Sequence, residues 1–126
     1  LVVNSMDGLD EISLAADTHV AELQHGVVTE YKLQPEELGF ARESLQTLVV
    51  DDVAASLQLI TSALAGEKDE RSQRAAHMIA LNAGAALYVA GVADSIAAGV
   101  ERANAVLTSG AGLKKLQQLA SMTQGF

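Results

Sequence analysis

The apolar positions change their period once along the chain. Leu1-Val2-Val3 opens as a run apolar on both faces, the pattern of a strand in a parallel sheet covered on two sides. Thr18 to Leu33 reads in twos: His19-Val20-Ala21-Glu22-Leu23 and Val27-Val28-Thr29-Glu30-Tyr31-Lys32-Leu33 flank Gln24-His25-Gly26, which predicts a β-hairpin. After Leu33 the repeat lengthens to about 3.6 residues and helices take over. Pro35-Glu36-Glu37 suits the first turn of a short helix, because proline lacks only an N–H that would be orphaned there and acids suit the positive end of the dipole; Gly39 stops it. Residues 44–50 fit a loop, a helix or a short strand at Leu48-Val49-Val50.

A helix is predicted over Val53–Ala65, with Asp52 as N-cap, Gly66 just past its end, and Val53, Leu57, Ile60 and Leu64 on one face. The next, Ala75–Ala90, is apolar nearly all round, as expected of a helix buried on every side, and Ala83-Gly84-Ala85-Ala86 permits neighbours to come close. Asp94 or Ser95 can cap a helix reaching Thr108, and a last one spans about Leu113 to Ser121. The class is therefore α/β, with one buried strand, a hairpin and about four helices. Residues 1–34 hold the strand, a loop and the hairpin, and residues 35–126 are mainly helical. Both the first strand and the all-round apolar helix call for more protein around them.

Composition narrows the function. In 126 residues there are 8 Lys+Arg against 16 Asp+Glu, a net charge of −8, and no cysteine. Such a balance offers no surface for a phosphate backbone, which argues against nucleic-acid binding, and the absence of cysteine excludes disulfides and thiolate chemistry. Residues 75–93 gain little from lipid, being largely Ala and Gly with His77 and Asn82 inside, so no membrane partner is expected. There is no P-loop, GxGxxG, GxSxG or HExxH pattern.

The candidate chemistry sits in Gly8-Leu9-Asp10-Glu11, just past the C-terminal end of the first strand, the edge where open α/β sheets collect ligands. Adjacent carboxylates can converge on one ion where a glycine turns the backbone, and hard oxygens with no His or Cys nearby suit Mg²⁺. That ion takes about six oxygens, so water and substrate phosphate would complete its shell. The same loop could instead cap a helix or face solvent. His19 and His25, on and beside the hairpin turn, and His77, inside the apolar helix with no acidic or nucleophilic partner at helical spacing, read as structural. Asn82 reads as bonded to neighbouring backbone, Tyr88 and Met78 as core, and Asp51-Asp52 and Glu67 to Arg71 as helix caps and separators.

Taken in order, Val2-Val3, Asp7-Gly8-Leu9-Asp10-Glu11-Ile12-Ser13-Leu14, Val20-Ala21-Glu22-Leu23, Leu64-Ala65-Gly66-Glu67-Lys68, Leu81-Asn82-Ala83-Gly84-Ala85-Ala86-Leu87-Tyr88-Val89-Ala90-Gly91 and Ser109-Gly110 with Leu116 make a linked set. This set resembles the C-terminal third of the anthranilate phosphoribosyltransferase family. The resemblance implies a nucleoside phosphorylase/phosphoribosyltransferase-type α/β domain. It implies a cytoplasmic pentosyltransferase of tryptophan biosynthesis that joins phosphoribosyl pyrophosphate to anthranilate and releases pyrophosphate. By motif match Asp10 and Glu11 become ligands of Mg²⁺, the one cofactor implied, and no other catalytic residue is assigned. The rest of the family's site and a dimerising N-terminal domain would lie upstream, so this chain alone is expected to be inactive.

The chain departs from the family in three places: Asn4-Ser5 where many members have His-Gly, Gln73-Arg74-Ala75-Ala76-His77 where Gly-Pro-Xaa-Arg-Asp often stands, and Ser56 where an Asn is common. None touches the carboxylate pair. Alternatives are a pyrimidine nucleoside phosphorylase of the same fold, a non-catalytic relative that binds nucleic acid, and a helical interaction module without a site.

Overall fold

A computed structural model describes residues 1–125. Strands β1 (Val2–Ser5), β2 (Thr18–Gln24) and β3 (Val27–Leu33) form one antiparallel sheet in the order β1-β2-β3. The hairpin closes with Gln24 opposite Val27, and His25 takes a φ of 51° in its two-residue turn. Two short 3₁₀ turns follow, Pro35–Leu38 and Gln46–Leu48, and the second settles the ambiguous stretch before the helices. Four helices complete the chain: α1 (Val53–Ala65), α2 (Glu70–Val89), α3 (Ile96–Thr108) and α4 (Ala111–Thr123). The strand, hairpin and four helices expected of an α/β chain are all present.

Two expectations change. Within this chain β1 pairs antiparallel with β2, Val2 opposite Ala21 and Ser5 opposite Thr18, rather than with a parallel neighbour, and Val2 is 71% exposed. The reason is the connection. Residues 6–17 return as a loop whose base is tied by the Met6 N–H to the Asp17 carbonyl at 2.9 Å, and a return without a crossover helix reverses the strand direction. Helix α2, in turn, is not buried all round. Within this chain Ala80, Leu81, Gly84 and Ala85 are inside, whereas Val89 is exposed, and Ala86 and Ala90 are exposed beside an open apolar groove shared with Leu64 and Val106. It also begins at Glu70 rather than Ala75.

Local chemistry explains the helix ends. Asp52 accepts the Ala55 N–H at 2.7 Å, Asp69 that of Ser72 at 3.0 Å and Ser95 that of Ala98 at 3.1 Å, each meeting a donor left free in a first turn. The core lies where the sheet meets α2 and α3, with Ile12, Leu14 and Val20 against Leu81, Ile96 and Val100. There α2 and α3 touch backbone to backbone. A Cβ added at Gly84 would lie 2.5 Å from the Val100 side chain and 2.6 Å from its backbone nitrogen, and one at Gly99 would strike the Gly84 carbonyl. Glu22 of β2 ties the hairpin to the helices by accepting the hydroxyls of Tyr31 at 3.0 Å and Tyr88 at 2.5 Å. Burial, and then the Glu22 bond, push the Tyr31 phenol up to about 12.

Candidate functional site

The loop after β1 is held from inside. The chain folds back at Gly8, whose φ of +93° favours a residue without a side chain, so that the Gly8 N–H reaches the Ser5 carbonyl at 3.0 Å and the Ser5 N–H the Leu9 carbonyl at 2.9 Å. The Asp7 carboxylate braces the turn. It accepts the Leu9 N–H at 3.3 Å and the Ser13 hydroxyl at 2.5 Å. Burial is the largest single influence on Asp7 and pushes its carboxyl up, but its hydrogen bonds, led by that from Ser13, together outweigh it and hold the group below the ordinary aspartate value. Ser13 is fully buried, with its N–H 3.3 Å from the Thr18 hydroxyl oxygen and its own hydroxyl oxygen accepting from Ala15 at 2.9 Å.

Helix α2 grips the far side of the loop. The Asn82 side-chain oxygen accepts the Ile12 N–H at 2.9 Å, and its amide nitrogen donates to the Ile12 carbonyl at 3.0 Å and the Met78 carbonyl at 3.1 Å. The expected backbone bonding of Asn82 is thus present, but its chief partner is 70 residues away.

Between these anchors stand Asp10 and Glu11, the predicted site residues, both exposed. Among the described residues neither joins an ion pair, and no cluster of three or more His, Cys, Asp or Glu could hold a metal by itself. Two free carboxylates supply hard oxygen donors of the kind Mg²⁺ accepts, and they leave most of its shell to water and phosphate. Leu9 lies beside an apolar groove that it shares with Ser56, one of the departures from the family pattern, and with Leu59 and Met78.

The other candidates fall elsewhere. His19 and His25 are exposed on the hairpin. His77 has a partner that local spacing could not reveal: its Nδ1 lies 3.1 Å from Glu43, and its ring packs against Phe40 with centroids 5.0 Å apart. Arg74 donates to the other Glu43 oxygen at 2.7 Å, to the Thr47 hydroxyl at 2.6 Å and to Glu70 at 2.7 Å, while Arg71 binds the Thr47 and Val49 carbonyls. The Arg74 guanidinium, followed by His77, holds the Glu43 carboxyl below its ordinary value against the opposing effect of burial. This seam fastens residues 43–49 to α2, so Arg71 and Arg74 are engaged by protein oxygens.

Comparison with known proteins places this geometry. A family model described as glycosyl transferase family, a/b domain, matches residues 1–113. The chain is 54% identical over 126 residues to the anthranilate phosphoribosyltransferase of Stutzerimonas stutzeri and 55% identical to that of Pseudomonas putida, covering all of this chain and 36% of each relative. It therefore spans about a third of the length of the curated relatives it matches. Among solved structures, the anthranilate phosphoribosyltransferase of Thermus thermophilus superposes with a TM-score of 0.79 at 34% identity, over 92% of this chain and 33% of that one. A variant of the Saccharomyces cerevisiae enzyme with Mg bound superposes with a TM-score of 0.83 at 18% identity, over 98% of this chain and 35% of that one, a likeness of fold.

Proposed function

Since the chain belongs to the glycosyl transferase family through its a/b domain, we propose that it forms the C-terminal part of the catalytic domain of an anthranilate phosphoribosyltransferase. Residues 1–34 would supply the metal loop and its sheet, and residues 35–126 the helical layer behind it. The reaction breaks the bond from ribose C1 to pyrophosphate and joins C1 to the amino nitrogen of anthranilate, which gives up a proton.

The observation that carries this reading is the contrast within one loop: the side chains of Asp7, Ser13 and Asn82 all bond within the protein, whereas among the described residues no hydrogen bond or ion pair engages the Asp10 or Glu11 carboxylate. Both would hold Mg²⁺ against the departing pyrophosphate, where the ion offsets negative charge that grows as the bond breaks. Asp7, Ser13 and Asn82 keep the two carboxylates in place, and Asp10 and Glu11 direct the leaving group to the end of β1. An aniline-type nitrogen needs no strong base to attack, so orientation of the two substrates carries much of the rate. Likeness to enzymes named for anthranilate supports that acceptor, and the yeast relative solved with 4-fluoroanthranilate points the same way. Contacts to anthranilate and to the ribose would come from parts of the full-length protein outside this chain, as would a homodimer interface. The setting proposed is the cytoplasm, and no helix among the described residues is long and apolar enough to cross a membrane.

The test is steady-state kinetics of the full-length protein, following loss of anthranilate fluorescence with phosphoribosyl pyrophosphate. Asp10→Asn and Glu11→Gln are expected to raise the Mg²⁺ needed for half-maximal rate by about tenfold or more. An unchanged Mg²⁺ dependence in both variants would overturn the reading. Residues 1–126 alone are expected to show no turnover.

A further inference from the structure

We infer that Asn82 is the positioning residue of the metal loop, setting the direction of the Glu11 and Asp10 side chains through a two-point grip on the Ile12 backbone. The inference rests on the reading of Asp10 and Glu11 as metal ligands. The Ile12 N–H, held by Asn82 at 2.9 Å, belongs to the peptide plane that joins Glu11 to Ile12. Fixing that plane fixes the position of the Glu11 Cα and the direction of its Cα–C bond, so that rotation about this one bond is what remains to swing the Glu11 side chain. The Ile12 carbonyl, held at 3.0 Å, belongs to the following plane, so both planes flanking Ile12 are fastened to one amide. The Ile12 side chain is 2% exposed and adds an apolar anchor at the same point. On the other side, Leu9 is fastened through its N–H to Asp7 and through its carbonyl to Ser5. Asp10 and Glu11 are therefore a two-residue exposed span between fastened neighbours, which limits how far they can move.

Asn82 is itself well placed to act as a reference. Its amide nitrogen also binds the Met78 carbonyl, which sets the orientation of the amide plane. Two residues on, Gly84 packs against Val100 and Gly99 with no room for a methyl group, so α2 sits in close backbone contact with α3 at this point. Groups that orient metal ligands without touching the ion commonly change metal affinity by about 10–100-fold when removed.

The experiment reads binding rather than turnover: titration of the full-length protein with Mn²⁺ in the presence of pyrophosphate, following the electron paramagnetic resonance signal of free Mn²⁺. Asn82→Leu, close in size but without either bond, is expected to weaken Mn²⁺ binding by about tenfold. Asn82→Asp keeps an acceptor for the Ile12 N–H, loses both donated bonds and sets a carboxylate against two carbonyl oxygens. It is expected to weaken binding by a smaller factor, although its added negative charge alone would strengthen it, and it carries the test should Asn82→Leu fail to fold. Glu43→Gln, which loosens the N-terminal half of the same helix and leaves the Ile12 bonds intact, is expected to lower the unfolding midpoint with Mn²⁺ affinity unchanged. Wild-type affinity in folded Asn82→Leu and Asn82→Asp, alongside a loss in Asp10→Asn and Glu11→Gln, would overturn the positioning role and leave the metal site standing. Wild-type affinity in Asp10→Asn and Glu11→Gln themselves would overturn the metal reading and the role of Asn82 with it.

Discussion

Two regions of this chain use carboxylates in opposite ways. In the seam between residues 43–49 and α2, Glu43 spends one oxygen on Arg74 at 2.7 Å and the other on His77 at 3.1 Å, and the result is a fastener. In the loop after β1, Asp10 and Glu11 are exposed and, among the described residues, join no ion pair, while Asp7, exposed as they are, bonds back to the Leu9 N–H and the Ser13 hydroxyl and braces the backbone. Residue type and exposure alone do not separate a ligand from a strut. What separates them is whether the chain has already supplied the carboxylate with a partner, because an unpaired charge held in a fixed place retains its attraction for an ion from solution.

The sharpest way to break this contrast is to neutralise each carboxylate in turn in the full-length protein. Asp10→Asn with Glu11→Gln should have the largest effect, a loss of Mn²⁺ affinity well beyond tenfold, with an unfolding midpoint in calorimetry no lower than that of the parent. A large fall in the midpoint would place these residues with the struts. Glu43→Gln should do the reverse, costing about 1–2 kcal/mol in denaturant unfolding and leaving Mn²⁺ affinity alone, since it leaves Arg74 with a poorer partner in a partly water-exposed seam. Asp52 is the intermediate case, exposed like Asp10 and Glu11 but bonded to the Ala55 N–H at 2.7 Å. Asp52→Ala should cost about 1 kcal/mol by chemical denaturation, with no change in metal binding.

The smallest effect is in the acid limb of stability. The folded pKa of Glu43 is held down by Arg74 and His77, and that of Asp7 by its hydrogen bonds, led by that from Ser13. Their contribution is present in full above the unfolded carboxylate values and is lost as pH falls through the lower folded ones. Between neutral pH and about pH 3, the unfolding free energy of Glu43→Gln should therefore fall less than that of the parent. Equal slopes would remove Glu43 from the set of struts.

What could be read from the residues follows the range of the forces involved. The ends of α1 were legible at Asp52 and Gly66, and the hairpin turn at His25-Gly26, because a cap or a turn is completed within a few residues. The carboxylate loop was legible from Gly8 and its place after an apolar strand. The start of α2 was not, because Glu70-Arg71-Ser72-Gln73-Arg74 interrupts the apolar pattern and its helical state is held by the seam with residues 43–49. The pairing of β1 within this chain was not legible, since three apolar residues fit a covered parallel strand as well as an antiparallel one, and the loop that returns to Thr18 decides it. The partners of Asn82 and His77 lie 70 and 34 residues away, and no periodicity records which backbone an amide will meet.

The grip of Asn82 on Ile12 also sets an order in time. During synthesis Ile12 leaves the ribosome first, and at about 5–20 residues per second its partner follows several seconds later. Until then the nascent loop carries its two acids with no brace on their C-terminal side. The loop proposed to hold the metal therefore matures from behind: Asp10 and Glu11 are made before the amide that braces them, and their arrangement waits for the middle of α2.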